Sequence, residues 1–157
     1  MPRRERYSMF RIGLVGAGAI SRRHLQAFVE SDYVATVEIA DPSEQAREAM
    51  RKDYGLVTAA HETIEPLLEN PDIAIIDVCT PHYLHKPQAI AALEAGKHVI
   101  LEKPMAMTVA ECDEILAAAE RSGKRVFVAL CQRMFPAHLE AKRLLEAEEI
   151  GRVFLGV

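Results

Sequence analysis

An apolar run, Phe10 to Val15, passes directly into Gly16-Ala17-Gly18-Ala19-Ile20-Ser21, after which Ile20, His24, Leu25 and Phe28 recur at helical spacing. Strand, glycine turn and helix in that order leave few folds open. Gly16 permits a tight turn, and Gly18 lets backbone approach a ligand at the helix N-terminus. Ser21 takes the third position of the GxGxxG pattern and is small enough for close helix–strand packing. The turn reads as a pyrophosphate cradle built from Gly16, Gly18, Ala19 and Ile20. A purely structural turn is the competing reading.

The alternation continues along the chain. Residues 34–40 predict a second strand ending at Asp41-Pro42, and Ser43 caps a helix to Asp53 with Ala46, Ala49 and Met50 inward. Residues 56–59 predict a short strand, and 63–69 a helix stopped by Asn70-Pro71. A nearly all-apolar strand over 73–79 precedes a helix over 83–95, with Gly96 at its carboxyl cap. A strand over 97–101 follows. Thr108 and Glu111 form a capping-box pair that opens a helix running to Gly123. A strand over 125–130 and a helix over 136–146 complete the pattern. The expected class is α/β: a doubly wound, mostly parallel Rossmann-type sheet with right-handed crossovers and helices on both faces. We divide the chain into a lead-in (1–9), this domain (10–150), and the opening strand of a truncated second domain (151–157).

Composition removes several function classes. The formal charge of −4 and the lack of a basic stripe argue against a nucleic-acid partner. No apolar run approaches the ~20 residues of a membrane span. The basic start lacks the apolar stretch of a secretory signal. Cys79, Cys112 and Cys131 are odd in number and lack zinc-type pairing, which fits reduced thiols in the cytoplasm. His82 and His85 have metal-like spacing but no third ligand, so no metal is expected.

Asp41 ends the second strand 23 residues after Gly18, close to the spacing of a ribose-binding carboxylate. Its charge would repel a 2′-phosphate, which favours NAD over NADP; a plain Asp-Pro turn is the alternative. Arg47 falls at a spacing that suits a solvated helix face better than a 2′-phosphate contact. Arg22-Arg23-His24 reads as a solvated face with His24 partly packed. Thr80 and Pro81 close a strand on the same side of the sheet as the glycine turn, and His85 is the candidate for a contact near the nicotinamide ribose. Glu102-Lys103-Pro104 ends the strand 97–101, and the proline gives Lys103 a defined backbone direction. An ammonium there could stabilise a developing alkoxide. A surface cation is the bland alternative.

Together, Gly16-Ala17-Gly18, Asp41, the segment Cys79 to His85, Ala95-Gly96-Lys97-His98-Val99, Glu102-Lys103-Pro104, Gln132-Arg133 and Gly151-Arg152-Val153 resemble the Gfo/Idh/MocA family of glucose-fructose oxidoreductase and inositol dehydrogenase relatives. The resemblance runs from Phe10 to the chain end. It implies a nicotinamide-dependent oxidoreductase of sugars, cyclitols or related polyols, with Lys103 beside the nicotinamide as catalytic residue. It further implies that Glu102 contacts the cofactor or orients Lys103, that Arg133 is a second cation at the same edge, and that the full-length protein is a homo-oligomer. Family members carry a second α/β domain holding most of the substrate site and a second catalytic residue. We therefore expect this chain to bind cofactor without full turnover. A non-catalytic NAD-binding sensor or regulator is the alternative function.

Overall fold

A computed structural model of the chain describes residues 9–152 and 154. Six strands, β1 (Phe10–Val15), β2 (Val34–Ala40), β3 (Val57–His61), β4 (Ile73–Val78), β5 (His98–Leu101) and β6 (Val126–Val128), form one sheet in the order β3-β2-β1-β4-β5-β6. Every neighbouring pair is parallel. The helices are α1 (Ala19–Val29), α2 (Glu44–Asp53), α3 (Glu65–Glu69), α4 (His85–Glu94), α5 (Val109–Ser122) and α6 (Pro136–Glu146).

The order explains the layering. From β1 the chain winds outward to β3, then returns to the other side of β1 and winds the opposite way. With crossovers of one hand, helices of the two halves must lie on opposite faces. Leu25 of α1 and Met50 of α2 accordingly pack with Ile12, Leu14, Val37 and Ile39. Ala89 and Leu93 of α4 and Ile115 of α5 pack with Ile76, Val78, Val99 and Leu101 on the reverse. Each fully buried leucine or isoleucine contributes roughly 1.5–3 kcal/mol. Beyond β4 the α1–α2 face carries no helix among the described residues, and Phe10, Ile75, Ile100 and Phe127 line an apolar hollow there.

Local signals set most boundaries. Ser43 Oγ accepts the Ala46 amide at 3.3 Å, and Thr108 Oγ1 accepts the Glu111 amide at 3.2 Å. Glu111 reaches back to the Met107 amide rather than to Thr108 itself, a capping box displaced by one residue. Where boundaries differ from expectation, hydrogen bonding is the reason. β3 extends to His61 because its carbonyl accepts the Asp41 amide at 3.1 Å. The segment expected as a helix from residue 83 starts as a short 3-10 turn, His82–Leu84, held by the Leu84 amide on the Pro81 carbonyl. β6 stops at Val128, and Cys131–Met134 forms a second such turn. Most of the lead-in and of the strand expected over 151–157 lies outside the described residues. Among those described, no helix is long and apolar enough to cross a membrane.

Candidate cofactor cleft

Strand order reverses between β1 and β4, so the loops after them diverge at the carboxyl edge of the sheet, where open α/β folds bind ligands. A cleft of about 570 Å³ opens there, walled by Gly16 to Gly18, Asp41, Thr63, Thr80, Pro81 and Tyr83. Gly16, Gly18, Asp41, Thr80 and Pro81, separated by up to 65 positions in sequence, thus share one wall system.

The two turn glycines do different work. Gly16 sits at φ +95°, and a Cβ there would lie 2.6 Å from the Cys79 carbonyl oxygen. Its amide donates to the Ala40 carbonyl at 2.8 Å, so the turn is pressed between the ends of β2 and β4. Gly18 is the N-cap of α1 with extended backbone (φ −83°), and a Cβ added to it would meet nothing within 4 Å. No side chain caps α1, and no acid stands in its first turn. Its first amides have no intrahelical partners and carry the positive end of the helix dipole. The open space at Gly18 and the uncapped N-terminus fit a pyrophosphate. Ser21 is fully buried at the helix–sheet contact, as its size suggests.

Asp41 is tied to this turn. Its Oδ2 accepts the Ala17 amide at 2.7 Å, and its Oδ1 accepts the Ser43 amide at 2.8 Å. A carboxylate has about four acceptor positions, so each oxygen retains capacity for a ribose hydroxyl. Arg47 is half-buried rather than fully solvated: its guanidinium donates to the Asp41 carbonyl at 2.6 Å.

Thr80 Oγ1 donates to Gln88 Oε1 at 2.6 Å, which fixes the wall after β4. The structure places His85 elsewhere than at the cleft surface. Its ring is fully buried between the Pro104 and Thr80 carbonyl oxygens, 2.8 and 3.0 Å from Nδ1 and Nε2. It braces the loops after β4 and β5 to each other, and no part of it is left to meet a ribose. Arg133 is exposed in the turn after β6 and lines a separate hollow with Leu130 and Met134. Lys103 is exposed at the carboxyl end of β5, followed by a cis peptide to Pro104. Asp41 and Lys103 stand three strand positions apart, about 14 Å at ordinary strand spacing. Glu102 turns inward, with 7% of its surface exposed.

Sequence reading missed the group beneath Glu102. Asp77, within β4, is completely buried, and its Oδ2 lies 2.7 Å from Nδ1 of His24 on α1. His24 Nε2 lies 3.2 Å from Glu102 Oε1. A lone acid in an apolar strand was the available signal, since a buried carboxylate demands a partner. The hydrogen bond to Asp77, reinforced by Glu102, holds the His24 imidazolium above the ordinary histidine range. Burial pushes the Asp77 carboxyl up, partly opposed by His24. The Cys79 thiol, donating to Asp77 at 3.7 Å, is pushed up by burial and stays protonated.

Both His24 and Asp77 bind protons more tightly folded than unfolded, so stability declines as pH rises. The His24 contribution is complete below its ordinary value of 6.5 and is lost as pH passes through the raised folded value. Melting temperature should therefore fall with pH more steeply in the native chain than in His24→Gln. A native profile that is flat, or parallel to that of the variant, would contradict this.

Comparison with known proteins agrees with the geometry. Residues 10–130 match a family model described as an oxidoreductase family with an NAD-binding Rossmann fold. A 1-carboxy-3-chloro-3,4-dihydroxycyclohexa-1,5-diene dehydrogenase of Comamonas testosteroni is 36% identical over 143 residues, covering 91% of this chain and 36% of the relative. Levoglucosan dehydrogenase of Pseudarthrobacter phenanthrenivorans is 33% identical over 152 residues, covering 90% and 38%. The WlbA dehydrogenase of Bordetella pertussis, solved with NADH and UDP-GlcNAcA, matches with a TM-score of 0.85 at 30% identity, covering 94% of this chain and 42% of that one. The chain spans about two fifths of the length of the curated relatives it matches.

Proposed function

This chain belongs to the Gfo/Idh/MocA oxidoreductase family and carries its NAD-binding Rossmann domain, and from that premise we propose that it is the cofactor-holding part of an NAD-dependent dehydrogenase of sugars, cyclitols or related polyols. The observation that carries the reading is the cleft: open backbone at Gly18 on one side, the anchored Asp41 on another, and Lys103 at the same sheet edge. The turn from Gly16 to Ile20 would hold the pyrophosphate, Asp41 the adenosine ribose, and Thr80 and Pro81 the nicotinamide half. Bound NAD supplies the hydride acceptor.

The remaining chemistry belongs to side chains. Lys103 would hold the carbinol oxygen of the substrate and stabilise the charge that grows on it as the hydroxyl proton passes to a second group, which the family resemblance places outside these residues. Glu102 acts from below by orienting the Lys103 backbone, not by touching cofactor. The walls that align the carbinol lie in the part of the enzyme corresponding to the rest of its relatives, so these 157 residues alone bind cofactor and turn over poorly. Three free cysteines suit the cytoplasm, and self-association of the whole enzyme is part of the same reading.

The test is NAD reduction by a panel of sugars and cyclitols, using the complete gene product. At least one polyol should reduce NAD in a saturable manner. Tight NAD binding without reduction by any polyol would instead favour a sensor.

A further inference from the structure

We propose that His24 is a positioning residue for Lys103, acting through Glu102. The proposal rests on the reading of Lys103 as the group beside the carbinol, but its physical basis is separate. Three short links join three elements: His24 Nδ1 to Asp77 Oδ2 at 2.7 Å, His24 Nε2 to Glu102 Oε1 at 3.2 Å, and the Lys103 amide to Glu102 Oε2 at 3.0 Å. The first crosses from α1 to β4, the second from α1 to the end of β5, and the third reaches the lysine.

Both partners of the imidazole are side-chain carboxyl groups, and when ionised they only accept. A ring that serves both at once must donate from both nitrogens, and only the imidazolium can do so. In that form His24 neutralises part of the charge of two acids and fixes the Glu102 carboxylate in one rotamer. Glu102 then has one oxygen committed to His24 and the other to the Lys103 amide, which anchors the lysine backbone at the carboxyl end of β5. The main-chain bond from the Glu102 amide to the Val78 carbonyl, 3.0 Å, ties the same point to β4.

Loss of the proton changes the arrangement in one direction. A neutral ring keeps a single N–H, and the shorter contact to the completely buried Asp77 retains it. The lone pair of Nε2 would then face the Glu102 carboxylate and repel it. Glu102 moves, and the Lys103 amide loses its acceptor. The groups facing the ring are Asp77 from β4, Cys79 with Sγ 3.6 Å from Nδ1, Glu102 after β5, and Phe28 edge-on from α1 itself. Cys79 stays a neutral thiol, and Arg22 on the same helix is engaged with Asp53 at 2.7 Å. The carboxylates therefore dominate the titration. His24, Asp77 and Cys79 present atoms of metal-ligand type within 4.8 Å of one another, and those atoms contact each other here.

The experiment is a pH titration of the isotopically labelled chain by NMR, without cofactor or substrate, following the His24 ring nitrogens and the Lys103 amide together. The Lys103 amide should shift with an inflection coincident with the titration of His24, above the ordinary histidine range. In His24→Gln that inflection should vanish. In Glu102→Gln it should also vanish, while the His24 ring still titrates. If a variant fails to fold, the native titration decides alone. A Lys103 amide that shows no inflection at the His24 midpoint, or one that keeps it in His24→Gln, overturns the proposal. The measurement involves no turnover, so absence of dehydrogenase activity would leave it standing.

Discussion

Gly18→Asp is expected to weaken NAD binding by about 100-fold or more while leaving the protein as stable as before or slightly more so, whereas Gly16→Ala should lose both affinity and stability. Gly18 has extended backbone at the N-cap of an uncapped helix, with open space where a side chain would go. Aspartate is a favoured N-cap residue, and its carboxylate would take amides of the first turn, stabilising α1 by up to ~1 kcal/mol. The same carboxylate would then stand in the pyrophosphate position. A loss of about 100-fold or more in affinity, ~2.7 kcal/mol, is expected. Gly16 is the opposite case. At φ +95° with a backbone oxygen 2.6 Å from its missing Cβ, alanine must displace β4 from β1. Such a residue costs about 1–3 kcal/mol in backbone strain before the clash is counted. Thermal melts paired with calorimetric titration separate the two. Gly18→Asp that binds NAD normally, or Gly16→Ala that melts like the native chain, would refute the assignment of these glycines.

Lys103→Met should lower NAD reduction by the complete gene product by about 100-fold or more, with NAD affinity nearly unchanged. Removing one donor that stabilises a developing oxyanion costs roughly 10²–10³ in rate. Methionine keeps the length of the side chain and removes its charge. Lys103 is exposed and lies beyond the walls of the cleft, so cofactor binding has little to lose. Steady-state kinetics with NAD saturating, beside a binding isotherm, are the measurement. Parallel loss of binding and rate would make Lys103 a cofactor ligand, and an unchanged rate would remove it from the chemistry.

What could be read from sequence follows the range of the interactions involved. Ser43, Thr108 and the glycine turn act over a few residues, so the starts of α1, α2 and α5 were legible. The distance from Gly18 to Asp41 was informative because one helix and one strand fill it. The pairing of His24 with Asp77 spans 53 positions and exists only because β4 lies beside β1. No periodicity in α1 or β4 announces it. His85 misled for a related reason. Its place after Thr80-Pro81 is correct, but the ring turns into the core, where two carbonyls left by the loops after β4 and β5 need a donor. Arg47 looked solvated on helical spacing, yet the end of β2 offers it a carbonyl. Arg133 was placed by resemblance, and the short β6 leaves it on a separate hollow.

Calorimetric titration of this chain with NAD and with NADP tests the central claim most directly, because the cleft alone should suffice for binding. In the proposed reading Asp41 takes the ribose, and its two oxygens are held by the Ala17 and Ser43 amides. A 2′-phosphate brought near it would meet a like charge in a poorly screened pocket. NAD should bind saturably at one site, with NADP at least ~10-fold weaker, a difference of about 1.4 kcal/mol. Asp41→Asn should narrow that gap. NADP binding as tight as NAD, or binding of neither, would contradict the account.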